Sequence, residues 1–229
     1  MLVAAVRADL AAAGDPDRAA RQQAYMKSDL PYRGLSSPQL KAVLRPLLAE
    51  HRFTEREDWE AAVRELWDGA THREEWYAAI ALLRHPAYRP WVDPRLLPLL
   101  EHLLRTGAWW DVVDEVSAHL VGQVLLEHRS DVTGVMDDWS VDEHMWVRRS
   151  AMLSQLRHKQ QTDTDLLRRV LDANLDDTTY GHEFFIRKAL GWALREHGRT
   201  DPAWVRDYLR THADRLSGLS RREASKHLA

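Results

Sequence analysis

The sequence predicts an all-α protein, a superhelical solenoid of about six antiparallel helical pairs forming one domain over residues 1–229. Three observations carry that expectation. Apolar residues recur three and four apart along most of the chain, and no stretch sustains the period-two alternation of a strand. Short, breaker-rich loops separate about a dozen helical segments. Paired segments return roughly every 35 to 45 residues, a recurrence in which neighbouring pairs bury each other's apolar faces, although no tight repeat consensus is present. Such an array offers a concave surface lined by the second helix of each pair, suited to a long ligand.

The elements follow in order. Residues 2–13 are alanine-rich and stop at Gly14-Asp15-Pro16, and residues 17–27 restart the pattern before a loop holding Pro31 and Gly34. Ser36-Ser37-Pro38 has the form of an N-cap with proline in the first turn, leading into Leu40, Val43, Leu44 and Leu47, and Pro46 marks a kink or a fresh turn. Thr54-Glu-Arg-Glu57 has capping-box form before Trp59, Ala62, Val63, Leu66 and Trp67. Residues 71–84 carry Trp76, Ile80 and Leu83 inward until His85-Pro86, and residues 94–105 are leucine-rich. A central helix is expected over 109–128, opened by Ala108 and Trp109 after the Gly107 break. Shorter helices are expected over 131–139, 142–156 and 163–174, then a turn-rich loop over 176–181. Helices over 183–196, 203–213 and 220–228 complete a HEAT-like array.

Composition sets outer limits. With 229 residues, 45% of them hydrophobic, the chain can bury a continuous core. It has no cysteine, which excludes disulfides and thiolate zinc sites. No apolar run approaches the roughly 20 residues of a membrane span and the first residues lack signal-peptide layout, so the expectation is a soluble, cytoplasmic protein without membrane contact. Net charge is −3, but its distribution is uneven. Residues 145–229 hold 16 Lys and Arg against 11 Asp and Glu, an excess of five positive charges, and the preceding residues hold 16 against 24. The C-terminal part can therefore present a basic face.

The chemistry-bearing stretch is Thr106-Gly-Ala-Trp-Trp-Asp-Val-Val-Asp114, where two adjacent tryptophans stand beside two carboxylates. On a helix Trp110 and Asp114 lie on one face, an indole one turn from a carboxylate. The same spacing suits a packing role, with Trp109, Val112, Val113 and Val116 in the core and Asp111 and Asp114 favouring the positive helix end, and spacing alone favours that role. Arg148 and Arg149 sit mid-helix, and Arg187 and Lys188 with Trp192 and Arg195 form a second cationic and aromatic group. These residues can serve an anionic polymer whose sugar reacts. They can equally be ordinary: Trp192 as core between Leu190 and Leu194, Arg149 in a surface ion pair, Arg187 and Lys188 on a solvated edge. The twelve histidines are scattered without metal-ligand spacing, and no cofactor or metal site is expected. Glycine-rich phosphate loops, the Gly-x-Ser-x-Gly elbow and a lysine in apolar surroundings are all missing, which disfavours nucleotide hydrolysis and lysine-based covalent catalysis.

Tyr25-Met-Lys27, Glu65-Leu-Trp-Asp68, Ala108-Trp-Trp-Asp-Val-Val-Asp114, Trp146-Val-Arg-Arg149 followed by Gln155-Leu-Arg-His-Lys-Gln160, the segment from Glu183-Phe-Phe-Ile-Arg-Lys188 through Gly191-Trp192 to Arg195-Glu196, and Leu219-Ser-Arg-Arg-Glu-Ala224 together resemble the AlkD-type DNA alkylation repair family. They stand in the family's order across nearly the whole chain. The resemblance implies a HEAT-like solenoid that hydrolyses the N-glycosidic bond of cationic N3- and N7-alkylated purines, 3-methyladenine and 7-methylguanine among them, in double-stranded DNA. It implies action from the backbone side without base flipping. With no activated lysine in the sequence, hydrolysis to an abasic site without strand cleavage is expected.

By motif match the family's catalytic residues fall on Trp110, Asp114 and Trp192, and its DNA-contacting arginines on Arg149 and Arg195. Arg148, Arg187, Lys188, Lys159, Tyr25 and Lys27, within or beside the matched motifs, complete the expected DNA-binding set. A longer loop over 176–181 and an N-terminal helix beginning almost at Met1 depart from the family pattern, and neither removes a matched residue. The expected partner is alkylated duplex DNA bound by a monomer, associated with the nucleoid when at work. A DNA-binding or damage-sensing repeat protein without catalysis, and a protein-interaction scaffold, remain as alternatives. DNA binding would weaken steeply with salt, whereas an apolar protein interface would not.

Overall fold

A computed structural model describes Met1–Leu228. Among the described residues there are fourteen α-helices, short 3₁₀ segments and one π-helical turn, with no strand, so the all-α expectation holds. The chain forms two compact units, Met1–Trp91 and the remainder from Val92.

In the first unit α1 (Leu2–Ala12) buries Leu2, Val3, Val6 and Leu10, residues at helical spacing, against α3 (Ser37–Glu50), α4 (Arg56–Asp68) and α5 (Arg73–Leu83). Asp15 caps α2 (Pro16–Met26) by accepting from the Arg18 N–H at 3.0 Å. Gly34 passes so close to Asp15 that a Cβ would stand 2.0 Å from its carbonyl oxygen, and its φ of 88° suits glycine. The following turn is anchored by the buried Glu74, whose carboxylate accepts from the N–H groups of Arg33, Gly34 and Leu35. Pro46 lies within α3 without ending it.

The capping box expected at Thr54 does not form. Phe53 donates its N–H to the Tyr88 hydroxyl at 3.0 Å, the chain stays extended through Glu55, and α4 starts at Arg56. Tyr88, from a 3₁₀ segment Pro86–Trp91 that periodicity did not indicate, instead packs with Trp91 around the fully buried Trp59.

In the second unit α6 (Leu97–Gly107) and α7 (Trp110–Val116) lead into a π turn, Ser117–Val121, and α8 (Gly122–Glu127). The expected helix over 109–128 is therefore one helical run interrupted by a register change. Its physical cause lies at Ser117, whose hydroxyl bonds back to the Val113 carbonyl and on to Ser150, and at Gly122, where a Cβ would meet the Ser154 carbonyl at 2.5 Å. Helices α9 (Arg129–Ser140), α10 (Met145–Leu153), α11 (Thr164–Asp172), α12 (Phe184–Gly198), α13 (Pro202–Thr211) and α14 (Gly218–Ala224) follow, each within a few residues of its expected range. Helix α10 is buried from Trp146 to Leu153 because α6, α7, α9 and α12 all pack on it.

His158 donates from Nε2 to the Gly122 carbonyl at 2.8 Å and His197 stands edge-on to Trp204 at 5.1 Å. Burial lowers both imidazoles below the ordinary 6.5, so they fold neutral. The unfolded chain takes up those protons first as pH falls. The stability they allow is complete above about pH 6.5 and is lost below it. The melting temperature is expected to fall between about pH 7 and pH 5, and His197→Phe is expected to flatten that fall.

Candidate DNA-repair site

The site begins at a sharp turn. Helix α6 ends at Gly107, Ala108 takes a φ of 23°, and Trp109 is extended, its carbonyl accepting from the N–H groups of Val112 and Val113. Helix α7 therefore opens at Trp110, one or two residues later than expected. The turn sends the adjacent indoles to opposite sides. Trp109 packs edge-on against Phe185 at 5.4 Å and against Trp146 at 5.9 Å, and Trp110 faces a cavity of about 330 Å³ with Asp114 one turn on.

Arg149 reaches Asp114 from α10. Its Nε donates to one carboxylate oxygen at 2.7 Å and its Nη2 to the other at 2.8 Å, while Nη1 donates to the Phe185 carbonyl. The arginine is 3% exposed. Both partners are thus withdrawn from water, a two-pronged geometry that lysine could not reproduce. Burial pushes the Asp114 carboxyl above its ordinary 3.8, Arg149 pulls it back, and nearby Asp111 adds to the rise.

Helix α12 supplies the opposite wall. Phe184, Lys188, Trp192 and Arg195 are spaced four, four and three apart, hence on one face, and all line the cavity. The Arg195 guanidinium lies 5.8 Å from the Trp192 ring centre. Glu223 of α14 closes the rim, bonded to Lys188 at 2.9 Å, Arg195 at 3.1 Å and Lys226 at 2.9 Å. Hydrogen bonds from Lys226 and Lys188 hold its carboxyl down at about 2, so it is ionised throughout the working range.

Trp110, Asp114, Trp192, Arg149, Arg195 and Lys188, expected from the sequence, come together here. The others do not. Arg148 is buried and donates to the carbonyls of Val141 and Asp142 with its guanidinium over Tyr180. Arg187 ties down the loop over 176–181, pairing with Asp176 and donating to the Gly181 carbonyl. Lys159 lines a separate cavity of about 240 Å³ beside His197 and Arg199. Tyr25 and Lys27 belong to the first unit, Tyr25 exposed and Lys27 ending α2 in the left-handed region. Among the described residues no three His, Cys, Asp or Glu converge as a metal site.

Phe184, Phe185 and Glu223 line the cavity without having been singled out from the sequence. The four-residue spacing of Phe184 to Lys188 to Trp192 carried a signal for the first. Glu223 lay inside the matched Leu219–Ala224 segment, but nothing local marked it as a cavity residue, since its place depends on a contact between α12 and α14. Removing one member of a buried pair strands the other, so Arg149→Met is expected to destabilise the fold by about 3 kcal/mol, and Asp114→Asn combined with it to recover part of that loss, read from urea unfolding midpoints.

A family model described as DNA alkylation repair enzyme matches residues 6–228. The solved structure of a predicted DNA alkylation repair enzyme from Enterococcus faecalis is 31% identical, covering 94% of this chain and 97% of that one, with a TM-score of 0.84. No curated protein matches the chain. With its helices arranged as in that structure and the match running almost end to end, the chain belongs to the DNA alkylation repair enzyme family.

Proposed function

We propose that the protein is a monofunctional DNA glycosylase that hydrolyses the N-glycosidic bond of cationic N3- and N7-alkylpurines in duplex DNA, with Asp114, Trp110 and Trp192 at the reacting sugar. The observation that carries this reading is that cations engage both oxygens of each of the two carboxyl groups lining the cavity. Glu223 is held ionised by its cations, and Asp114 is held by both prongs of Arg149. With both oxygens of each group accepting from these donors, neither presents a proton to a leaving base. Glycoside hydrolysis ordinarily uses one carboxyl as acid and one as base or nucleophile. A cavity without the acid suits a leaving group that already carries positive charge, and a purine alkylated at N3 or N7 is such a group.

The chemistry then needs little else. As the C1′–N bond lengthens, its electron pair passes to the purine, which leaves neutral, and positive charge develops on the deoxyribose. The Asp114 carboxylate opposes that charge at close range in a site largely withdrawn from water. The electron-rich faces of Trp110 and Trp192 accept the polarised C–H edges of the sugar. Water attacks C1′ and loses its proton to Asp114, which its burial makes a stronger base than an exposed aspartate. The product is an abasic site. Lys188 and Arg195 flank the aromatic groups and address phosphates, which supports approach from the sugar–phosphate side with the base left stacked.

Wild-type protein is expected to release 7-methylguanine from a singly modified duplex, and Asp114→Asn to bind that duplex but release base about 100- to 1000-fold more slowly. Binding without release by the wild type would instead indicate a DNA-binding repeat protein. Release should fall on the acid side as Asp114 protonates, at a pH above that of an ordinary aspartate. Arg149→Gln removes the groups that lower that pKa, so the acid limb of the rate profile is expected to move to higher pH.

A further inference from the structure

A carboxylate at the rim of a cavity that is to receive a polyanion is electrostatically unfavourable unless it does something else. Glu223 is such a group. It stands on α14, which approaches α12 at Gly191, where a Cβ would lie 2.6 Å from the Glu223 Cβ and 2.8 Å from the Ser220 carbonyl oxygen. Ser220 fastens the approach by donating its hydroxyl to the Arg187 carbonyl at 3.0 Å. The close crossing sets the carboxylate between two cations that sit seven residues apart on α12, either side of Trp192. One oxygen of Glu223 takes Lys188 and the other takes Arg195, and Lys226 bridges both. Long, flexible side chains that would otherwise sample many rotamers are thereby drawn to one point at the cavity mouth. Arg195 also touches Glu196 at 3.3 Å, so the cluster sets three cations against two carboxylates and keeps a net positive charge, and the Lys188 side chain is still 38% exposed. It can therefore receive a phosphate without being rebuilt.

We infer that Glu223 is a positioning residue that gathers Lys188, Arg195 and Lys226 into a preformed clamp for the DNA phosphate flanking the sugar held between Trp110 and Trp192. The inference rests on the function proposed above. Its test separates positioning from simple screening, because the two have opposite signs. If Glu223 merely screens Lys188, removing the carboxylate makes the lysine worth more to DNA; if it positions Lys188, removal makes the lysine worth less.

The experiment measures affinity for an undamaged duplex across a salt series for Lys188→Gln in three backgrounds, wild type, Glu223→Gln and Glu223→Asp, alongside single-turnover release of 7-methylguanine. In the wild-type background Lys188→Gln should reduce the salt slope by about 1. In either Glu223 variant the same change should reduce it by markedly less, and base release should slow by about 10- to 100-fold at saturating protein. Glu223→Asp keeps the charge and shortens the reach, so it reads positioning even if Glu223→Gln fails to fold. An effect of Lys188→Gln that is unchanged or larger in the Glu223 variants overturns the inference while leaving the glycosylase reading intact. A wild type that releases no base, with the coupling to Lys188 present, overturns the glycosylase reading and leaves the phosphate clamp standing.

Discussion

The candidate site depends on one ion pair. Asp114 from α7 and Arg149 from α10 meet through two parallel hydrogen bonds in a place where neither is well hydrated. A buried charge pair of this kind is a poor way to gain stability, since desolvating both groups offsets most of their attraction. Its worth lies elsewhere. It fixes the carboxylate in one orientation beside Trp110, and the third arginine nitrogen, bonded to the Phe185 carbonyl, ties the same group to the first turn of α12. Three helices that each contribute to the cavity are thereby held in register by one guanidinium.

Around that pair, the second unit spends close approaches and local irregularities on placing side chains. The left-handed turn at Ala108 divides the adjacent tryptophans between packing and cavity. The π turn after α7 falls where Ser117, about one turn from Asp114, meets Ser150, the neighbour of Arg149 on α10, so the local helix register is adjusted at the place where the pair must align. Gly191 admits α14 and with it Glu223, which orders the cations of the rim. The two carboxylates of the cavity then differ in role through environment alone. Burial makes Asp114 the stronger base, and a ring of cations keeps Glu223 permanently charged.

How much of this was readable in the residue order varies with the range of the cause. Helical periodicity placed most helices within a few residues, because the apolar face of each helix is a local property. Trp110 with Asp114, and Lys188 with Trp192 and Arg195, were readable for the same reason, being one or two turns apart on single helices. The capping box at Thr54 does not form, because α4 begins at Arg56 with Glu55 as its N-cap, a start one residue later than a Thr54 cap would set. Arg148 and Arg149 look alike as a dipeptide, yet successive helical residues point in different directions. One is spent on loop carbonyls and the other holds the carboxylate. The sequence also offered Arg149 as a surface ion pair, and burial distinguishes that from what is found. Glu223 stood in a matched motif, but its place in the cavity could not be read, because Arg195 and Lys188 are 28 and 35 residues away across a helix crossing.

The proposed chemistry rests on a cavity in which cations hold both oxygens of each carboxylate, an arrangement suited to a leaving base that is already cationic. The most direct measurement compares single-turnover release from matched duplexes carrying 7-methylguanine, hypoxanthine or uracil, all at neutral pH. The account predicts release of 7-methylguanine with no appreciable release of the two neutral bases, which would have to depart as anions unless protonated. Hypoxanthine or uracil leaving as fast as 7-methylguanine would contradict it, since the site would then have to protonate or otherwise stabilise a departing anionic base.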